Sequence, residues 1–163
     1  MRGPLATRYV QQFLRNVAWG DVDFLILDLP PGTGDIQLTI VQTAELDGVV
    51  VVTTPQEVAL IDARKAIGLF ERVETPILGI IENMSYFQCP SDGKIYHIFG
   101  EGGGEREAAK LGVPLLGKIP LDISTRFGGD EGRPVALEDP GQNPVSAAFR
   151  QVAEQCARVV LDR

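Results

Sequence analysis

The sequence has 163 residues, of which 44% are apolar and 23% are charged, and its formal net charge is -7 at pH 7. This composition excludes an intrinsically disordered chain, and the negative charge argues against nucleic acid or an anionic membrane as the main partner. Two cysteines, Cys89 and Cys156, are too few for a secreted disulfide framework. No run approaches the ~20 apolar residues that a membrane span needs. We therefore expect a single cytoplasmic domain over residues 1–163.

The first half of the chain alternates between helical patterns and short apolar runs. Residues 5–17 repeat apolar side chains at three- and four-residue spacing, which predicts an amphipathic helix. Residues 24–29 surround Asp28 with apolar side chains, which indicates a strand buried on both faces of a parallel sheet and ended by the prolines that follow. A second helix is predicted after Asp35, its N-cap, and residues 49–52 are β-branched throughout and predict a second buried strand.

The second half continues this alternation. The patterns predict, in chain order, a helix over 57–73, a strand over 77–81, a long loop over 84–104, a short helix over 105–111, a strand over 113–119, a turn-rich segment over 120–141 and a last helix capped by Asn143. We expect Cys156 to be a small core residue of that last helix. Four strands alternating with helices predict an α/β fold, a parallel sheet flanked by helices.

Asp28 is the first candidate functional residue. The sequence PPGTGD follows it, so the carboxylate is expected at the carboxyl end of its strand, where open α/β sheets bind ligands. A carboxylate in that place, before a glycine-rich turn, suits a Walker B role toward nucleotide-bound Mg²⁺. The alternative is a buried strand that ends in a polar cap and a tight turn.

Four segments together carry a resemblance to a known family. They are DLPPGTGD at 28–35, TTPQEVALIDARKAI at 53–67, ENMSYFQCP at 82–90 and IFGEGGGE at 98–105. In this order they resemble the Mrp/ApbC-type ATPases, which are iron-sulfur cluster carriers related to MinD and ParA. The resemblance implies a P-loop NTPase-like fold, ATP and Mg²⁺ as cofactors, and a homodimer that transfers an Fe-S cluster to apo-protein clients.

The resemblance also implies roles for individual residues. Asp28 would hold the water shell of Mg²⁺, and the Gly32 amide would face the γ-phosphate. Asn83 would read the adenine edge, since its carboxamide has both a donor and an acceptor. Pro120 and Asp122 would belong to the loop that closes over the adenine. The alternatives are a strand-ending turn for Asn83 and a plain turn after the fourth strand for the other two.

The chain departs from the family's pattern at the phosphate-binding loop. No G-x-x-x-x-G-K-[ST] motif occurs in the 163 residues, and the glycine cluster at 100–105 lacks the required lysine. The chain is therefore expected to correspond to the C-terminal part of such an ATPase, a partial P-loop NTPase-like domain without Walker A that is inactive alone. In the family's sheet the P-loop strand lies beside the Walker B strand, so residues 24–27 and 49–52 would each lack a neighbour. These two runs are expected either to pair with each other or to leave exposed apolar edges.

The second departure concerns the metal ligands. The family has Cys-x-x-Cys where this chain reads Cys89-Pro-Ser-Asp92, and a carboxylate is a hard donor poorly matched to Fe-S chemistry. With one thiolate per chain, a cluster held by Cys89 would bridge two chains. His97, in the same loop, either completes a mixed ligand set or is a surface residue.

Three functions are consistent with these features. The first is an iron-sulfur cluster carrier with impaired nucleotide hydrolysis. The second is a non-catalytic binding module that depends on a partner. The third is a ParA/MinD-like positioning ATPase, which is disfavoured because the last helix has the stripe of a buried helix rather than that of a membrane-binding one.

Overall fold

The computed structural model describes residues 3–30 and 34–162, which form α-helices, a three-stranded sheet and a two-stranded hairpin; three of the helices pack on the larger sheet. The elements, in chain order, are α1 (Gly3–Asn16), α2 (Asp35–Thr43), β1 (Val49–Thr53), α3 (Glu57–Arg72), β2 (Ile77–Glu82), β3 (Phe87–Gln88), β4 (Ile95–Tyr96), α4 (Gly103–Leu111), β5 (Leu115–Lys118), α5 (Ile123–Asp130), a 3₁₀ helix (Val135–Leu137) and α6 (Pro144–Leu161). Within these ranges, no helix is both long and apolar enough to cross a bilayer.

The sheet has the order β1-β2-β5, and both pairings are parallel. On one face, Val51 and Ile80 form the core with Ile67 of α3 and Ala108 of α4. Helix α6 packs against β5 and β2. Gly117 of β5 lets this helix pack close to the strand, because a Cβ at that position would clash with Val152 Cγ2 at 2.5 Å. The expected α/β fold with a helix-flanked parallel sheet is confirmed.

The strand predicted over residues 24–29 is absent from the structure. These residues belong to no strand, Asp28 is exposed, and the Ile26 side chain is 88% exposed. An apolar run forms a strand only where a neighbour pairs with its backbone groups. In the described part of the chain, β1 pairs with β2 alone, so its other edge is open and residues 24–29 lie unpaired. The prediction of a buried strand ending at Asp28 is therefore wrong here.

Two local structures were missed by the sequence patterns. The loop over 84–104 contains the antiparallel hairpin of β3 and β4, whose two-residue strands are too short to show a period. The turn-rich segment over 120–141 contains α5. The sequence pattern did not predict this helix, because its paired glycines at 128 and 129 are typical of turns.

The helix ends lie within two residues of their predicted positions where both are defined. Helix α2 begins at Asp35 with Gly34 as N-cap, one residue earlier than predicted, and α4 begins at Gly103. The N-cap of α6 is as predicted, since Asn143 Oδ1 accepts hydrogen bonds from the backbone N–H groups of Val145 and Ser146. Cys156, expected in the core, is only half-buried on α6, and this partial burial raises the pKa of its thiol.

An ion cluster joins α3 to α4. Arg64 donates from Nε and Nη2 to the two oxygens of Glu107 at 2.8 and 2.7 Å, and Lys110 Nζ donates to the same carboxylate at 2.8 Å. The Glu107 side chain is only 6% exposed. The hydrogen bonds from Arg64, with the one from Lys110, outweigh the effect of burial and lower the pKa of Glu107 to about 2.

We predict a specific acid sensitivity from this cluster. Because the pKa of Glu107 is lower in the folded protein, its contribution to stability is complete above pH 4.5 and is lost as the pH falls toward 2. Glu107→Gln is expected to lower the free energy of unfolding at pH 7 by about 3 kcal/mol. The difference from the parent protein should shrink toward pH 2 in denaturant titrations.

Glu57→Gln is the matched control. The Glu57 carboxylate also binds Arg64, at 2.6 Å, but the Glu57 side chain is largely exposed. This variant is expected to lose less than about 1 kcal/mol. Equal losses in the two variants, or a loss in Glu107→Gln that does not depend on pH, would contradict the assignment.

Candidate functional site

The carboxyl edge of the sheet brings three strand ends together. The Asn83 backbone N–H donates to the Thr53 carbonyl at 2.7 Å, and the Ile119 N–H donates to the Glu82 carbonyl at 2.9 Å, so the ladder continues to the last residues of the strands. Thr54, directly after β1, has a buried hydroxyl without a hydrogen-bond partner. A buried hydroxyl of this kind is a candidate ligand contact. This edge is where open α/β sheets bind ligands.

Asn83 ends β2 in a tight turn. Its Oδ1 accepts a hydrogen bond from the Met84 backbone N–H at 3.0 Å, and Met84 has a left-handed backbone with φ +51°. A non-glycine residue rarely adopts that conformation. The side-chain oxygen of Asn83 thus takes part in a strand-ending turn, which was the alternative to the adenine role. The adenine contact stays a prediction.

Asp122 has a structural task at this edge. Its Oδ2 accepts hydrogen bonds from the Thr125 backbone N–H at 2.8 Å and from the Ser124 hydroxyl. Asp122 thereby caps the N-terminus of α5. Burial raises the pKa of Asp122, but these hydrogen bonds outweigh burial and hold the pKa below its ordinary value. The carboxylate therefore fixes the loop that begins at Pro120.

Cys89 lies at the turn of the β3–β4 hairpin. The turn is closed by hydrogen bonds from Cys89 N to Lys94 O and from Gly93 N to Cys89 O, both 2.8 Å long. Cys89 Sγ lies 3.0 Å from Ser91 Oγ, and this hydrogen bond lowers the pKa of the thiol. Asp92 accepts from the Lys94 N–H at 3.1 Å, which lowers the pKa of its carboxyl group. A lower thiol pKa favours the thiolate, the form that binds metals.

The hairpin is joined to the carboxyl edge by backbone pairing. Ser85 N–H donates to the Ile119 carbonyl at 2.9 Å, Leu121 N–H donates to the Tyr86 carbonyl at 2.7 Å, and Phe87 forms a parallel bridge with Leu121. A surface cavity of about 320 Å³ lies between the two segments. Three predicted site residues line this cavity: Cys89, Pro120 and Asp122.

The other predicted residues lie elsewhere. Asp28 is exposed in the unpaired segment and is not among the residues that line the cavity beside Cys89. Gly32 lies outside the described residues. His97 Nε2 lies 3.6 Å from Glu101 Oε1. Within residues 3–30 and 34–162, no group of three or more His, Cys, Asp or Glu side chains could hold a metal ion.

The glycine cluster at the start of α4, the N-cap Gly102 and the first helical residues Gly103 and Gly104, is explained by close packing. Gly102 has φ +65°, and a Cβ on Gly103 would lie 2.5 Å from the Pro55 carbonyl oxygen. A Cβ on Gly104 would lie 3.1 Å from Glu82 Cβ. Sequence reasoning missed Glu82 and its contact here, although glycines at the start of a helix are a signal of close approach.

The comparisons with known proteins agree with this architecture. The family model described as "ParA: NUBPL iron-transfer P-loop NTPase" matches residues 1–157. The chain belongs to this family. An iron-sulfur cluster carrier protein of Pyrococcus furiosus is 50% identical over 154 residues, which are 94% of this chain and 52% of that protein. The chain thus spans about half the length of the curated relatives it matches.

Two solved structures share the fold of this chain. A nucleotide-binding protein of Archaeoglobus fulgidus, in complex with ADP and with Co found in it, has a TM-score of 0.72 and 43% identity, covering 79% of this chain and 53% of that one. The septum site-determining protein MinD of Pyrococcus horikoshii, complexed with Mg-ADP, has a TM-score of 0.67 and 26% identity, covering 91% and 56%. The expected kinship with iron-sulfur carriers and MinD is confirmed.

Proposed function

We propose that this chain serves ATP-dependent iron-sulfur cluster transfer to apo-protein clients. The observation that carries the proposal is the position of Cys89 on a hairpin whose backbone pairs with residues 119–121, the loop at the carboxyl edge of the sheet. A metal-binding thiol is thereby fastened to the edge where the fold binds nucleotide. The membership of the chain in an iron-transfer NTPase family supports this reading.

The nucleotide would occupy the carboxyl edge. Related structures hold ADP and Mg-ADP, which supports ATP and Mg²⁺ as ligands here. Asn83 and Pro120 follow neighbouring strands, so a carboxamide and a proline ring could face one base. Asp28 is exposed in the unpaired segment, so it would hold the water shell of Mg²⁺ at this edge only once that segment pairs beside β1; Gly32 would face the γ-phosphate. Asp122 acts indirectly, because its carboxylate caps α5 and fixes the adenine loop.

The cluster is cargo, and one chain offers too few ligands for it. Cys89 supplies the single thiolate of the hairpin and Asp92 a carboxylate at the position of a second cysteine. Iron-sulfur clusters are normally held by four thiolates. Two copies in a homodimer would supply two thiolates and two carboxylates around one cluster.

Anaerobic reconstitution with iron and sulfide tests this proposal. We expect the broad visible absorption of a cluster in a dimer and its loss in Cys89→Ser. Asp92→Cys is expected to raise cluster occupancy, because it restores two soft ligands per chain. Cys156→Ser is the control, since that thiol is half-buried on α6 and should not contribute.

A chromophore that survives in Cys89→Ser, or that occurs in a monomer, would refute the bridging site. The absence of any chromophore, in the parent and in Asp92→Cys alike, would favour the non-catalytic binding module. A positioning ATPase is the weaker alternative, because identity to the MinD structure is 26% whereas identity to the carrier is 50%.

A further inference from the structure

Glu82 is a fully buried carboxylate at the end of β2. Its Oε1 accepts a hydrogen bond from the Ser85 hydroxyl at 2.5 Å, and its Oε2 accepts one from the Gly104 backbone N–H at 2.6 Å. A buried carboxylate is costly unless such donors satisfy it. Here both oxygens are bound, and neither donor belongs to a charged side chain.

The two donors stand at the two ends of the long loop. Ser85 begins the stretch that leads to the Cys89 hairpin, and Gly104 lies in the first turn of α4, where the loop ends. One side chain therefore holds both ends of the loop. The Ser85 N–H is bound in turn by the Ile119 carbonyl at 2.9 Å, which links the same point to the adenine loop.

The neighbourhood is shaped for this contact. A Cβ on Gly104 would lie 3.2 Å from Glu82 Oε2 and 3.1 Å from its Cβ, so glycine lets the carboxylate reach the amide. The N-terminus of a helix carries partial positive charge and unpaired N–H groups, both of which favour a carboxylate.

We propose that Glu82 is a positioning residue that closes the loop over residues 85–104 and thereby holds the Cys89 hairpin against the carboxyl edge. The relevance of this position to cluster transfer rests on the proposed function. The closure itself is a property of the protein without its cargo. Asn83 follows Glu82 directly, so the same anchor also fixes the strand end that we assign to adenine.

The closure is tested in the protein without cluster by two measurements. The first is the hydrogen exchange rate of the Gly104 amide by NMR. The second is the rate at which iodoacetamide alkylates Cys89, with Cys156 as internal reference. Glu82→Ala is expected to speed Gly104 exchange by roughly tenfold, because it removes the acceptor of that amide. The alkylation rate of Cys89 should change while that of Cys156 stays constant.

Glu82→Gln is the rescue variant. Its carboxamide oxygen can accept from the Gly104 N–H and its NH₂ group can donate to the Ser85 hydroxyl, so both rates should stay within about twofold of the parent values. Ser85→Ala removes one of the two ties and serves if Glu82→Ala does not fold; it should change the alkylation rate of Cys89 in the same direction. Unchanged Gly104 exchange and Cys89 alkylation in folded Glu82→Ala, or unchanged alkylation in Ser85→Ala, would overturn the proposal.

Reconstitution separates this inference from the proposed function. If the parent protein takes up a cluster, Glu82→Ala should lower the yield and Glu82→Gln should restore it. If the parent takes up none, the proposed function fails, while the exchange and alkylation rates still decide whether Glu82 closes the loop.

Discussion

The 163-residue chain, purified by itself, is expected to hydrolyse ATP no faster than the background without protein. Phosphoryl transfer depends on positioning the phosphates and on stabilising their charge. The sequence contains no Walker A lysine, and the glycines in the first turn of α4 pack against Pro55 and Glu82. Loss of one phosphate-stabilising cation alone costs roughly 10³ to 10⁵ in rate. Phosphate release with Mg-ATP measures the effect.

Asp28→Ala, purified in parallel, is the control for contaminating ATPases. Equal background rates in the parent and in this variant are the expected result. Phosphate release above background in the parent that disappears in Asp28→Ala would show that the chain assembles a working site, and the prediction would then be wrong.

The isolated chain is also expected to self-associate through the open side of β1. The Val52 side chain is 59% exposed and Ile26 is 88% exposed, and the outer edge of β1 pairs with no strand in the described part of the chain. Open apolar strand edges favour pairing with other chains. Val52→Lys is expected to weaken association by roughly tenfold or more, because a lysine charge buried in such a contact costs over about 1.4 kcal/mol. Sedimentation velocity over a concentration series measures this change.

Leu137→Lys is the matched control, because Leu137 is 84% exposed on the 3₁₀ helix rather than on the sheet. It should leave association unchanged, and so should Cys89→Ser in the protein without cluster. A concentration-independent monomer with a sharp, cooperative melt would show that the remaining strands close the sheet unaided.

The elements that the sequence predicted well are those whose signal is local. The stripe of α3, the glycine that ends α4 and the Asn-Pro start of α6 each depend on neighbours within a turn, and the structure has all three. The segment over 24–29 shows the limit of this reasoning. Its apolar pattern is correct for a buried strand, but burial and pairing depend on a neighbouring strand that local pattern cannot supply.

In the candidate site, too, residues with a local sequence signal were predicted and contacts between distant residues were missed. Sequence patterns and the resemblance named Cys89, Asn83 and Pro120, which the structure places on the hairpin and at the carboxyl edge. The task of Glu82 was missed because its partner Gly104 is 22 residues away. Likewise, Arg64 is on the polar side of α3 by pattern, and only the packing of α4 reveals that it binds Glu107. Pairs that are distant in sequence leave no periodic signal.

The backbone pairing of Ser85, Tyr86 and Phe87 with residues 119–121 also determines which part of the molecule unfolds with the hairpin. Two strands of two residues each are too short to be stable on their own. Their order therefore comes from docking on the segment that follows β5. We therefore expect the Cys89 turn and the end of β5 to open together as one cooperative unit.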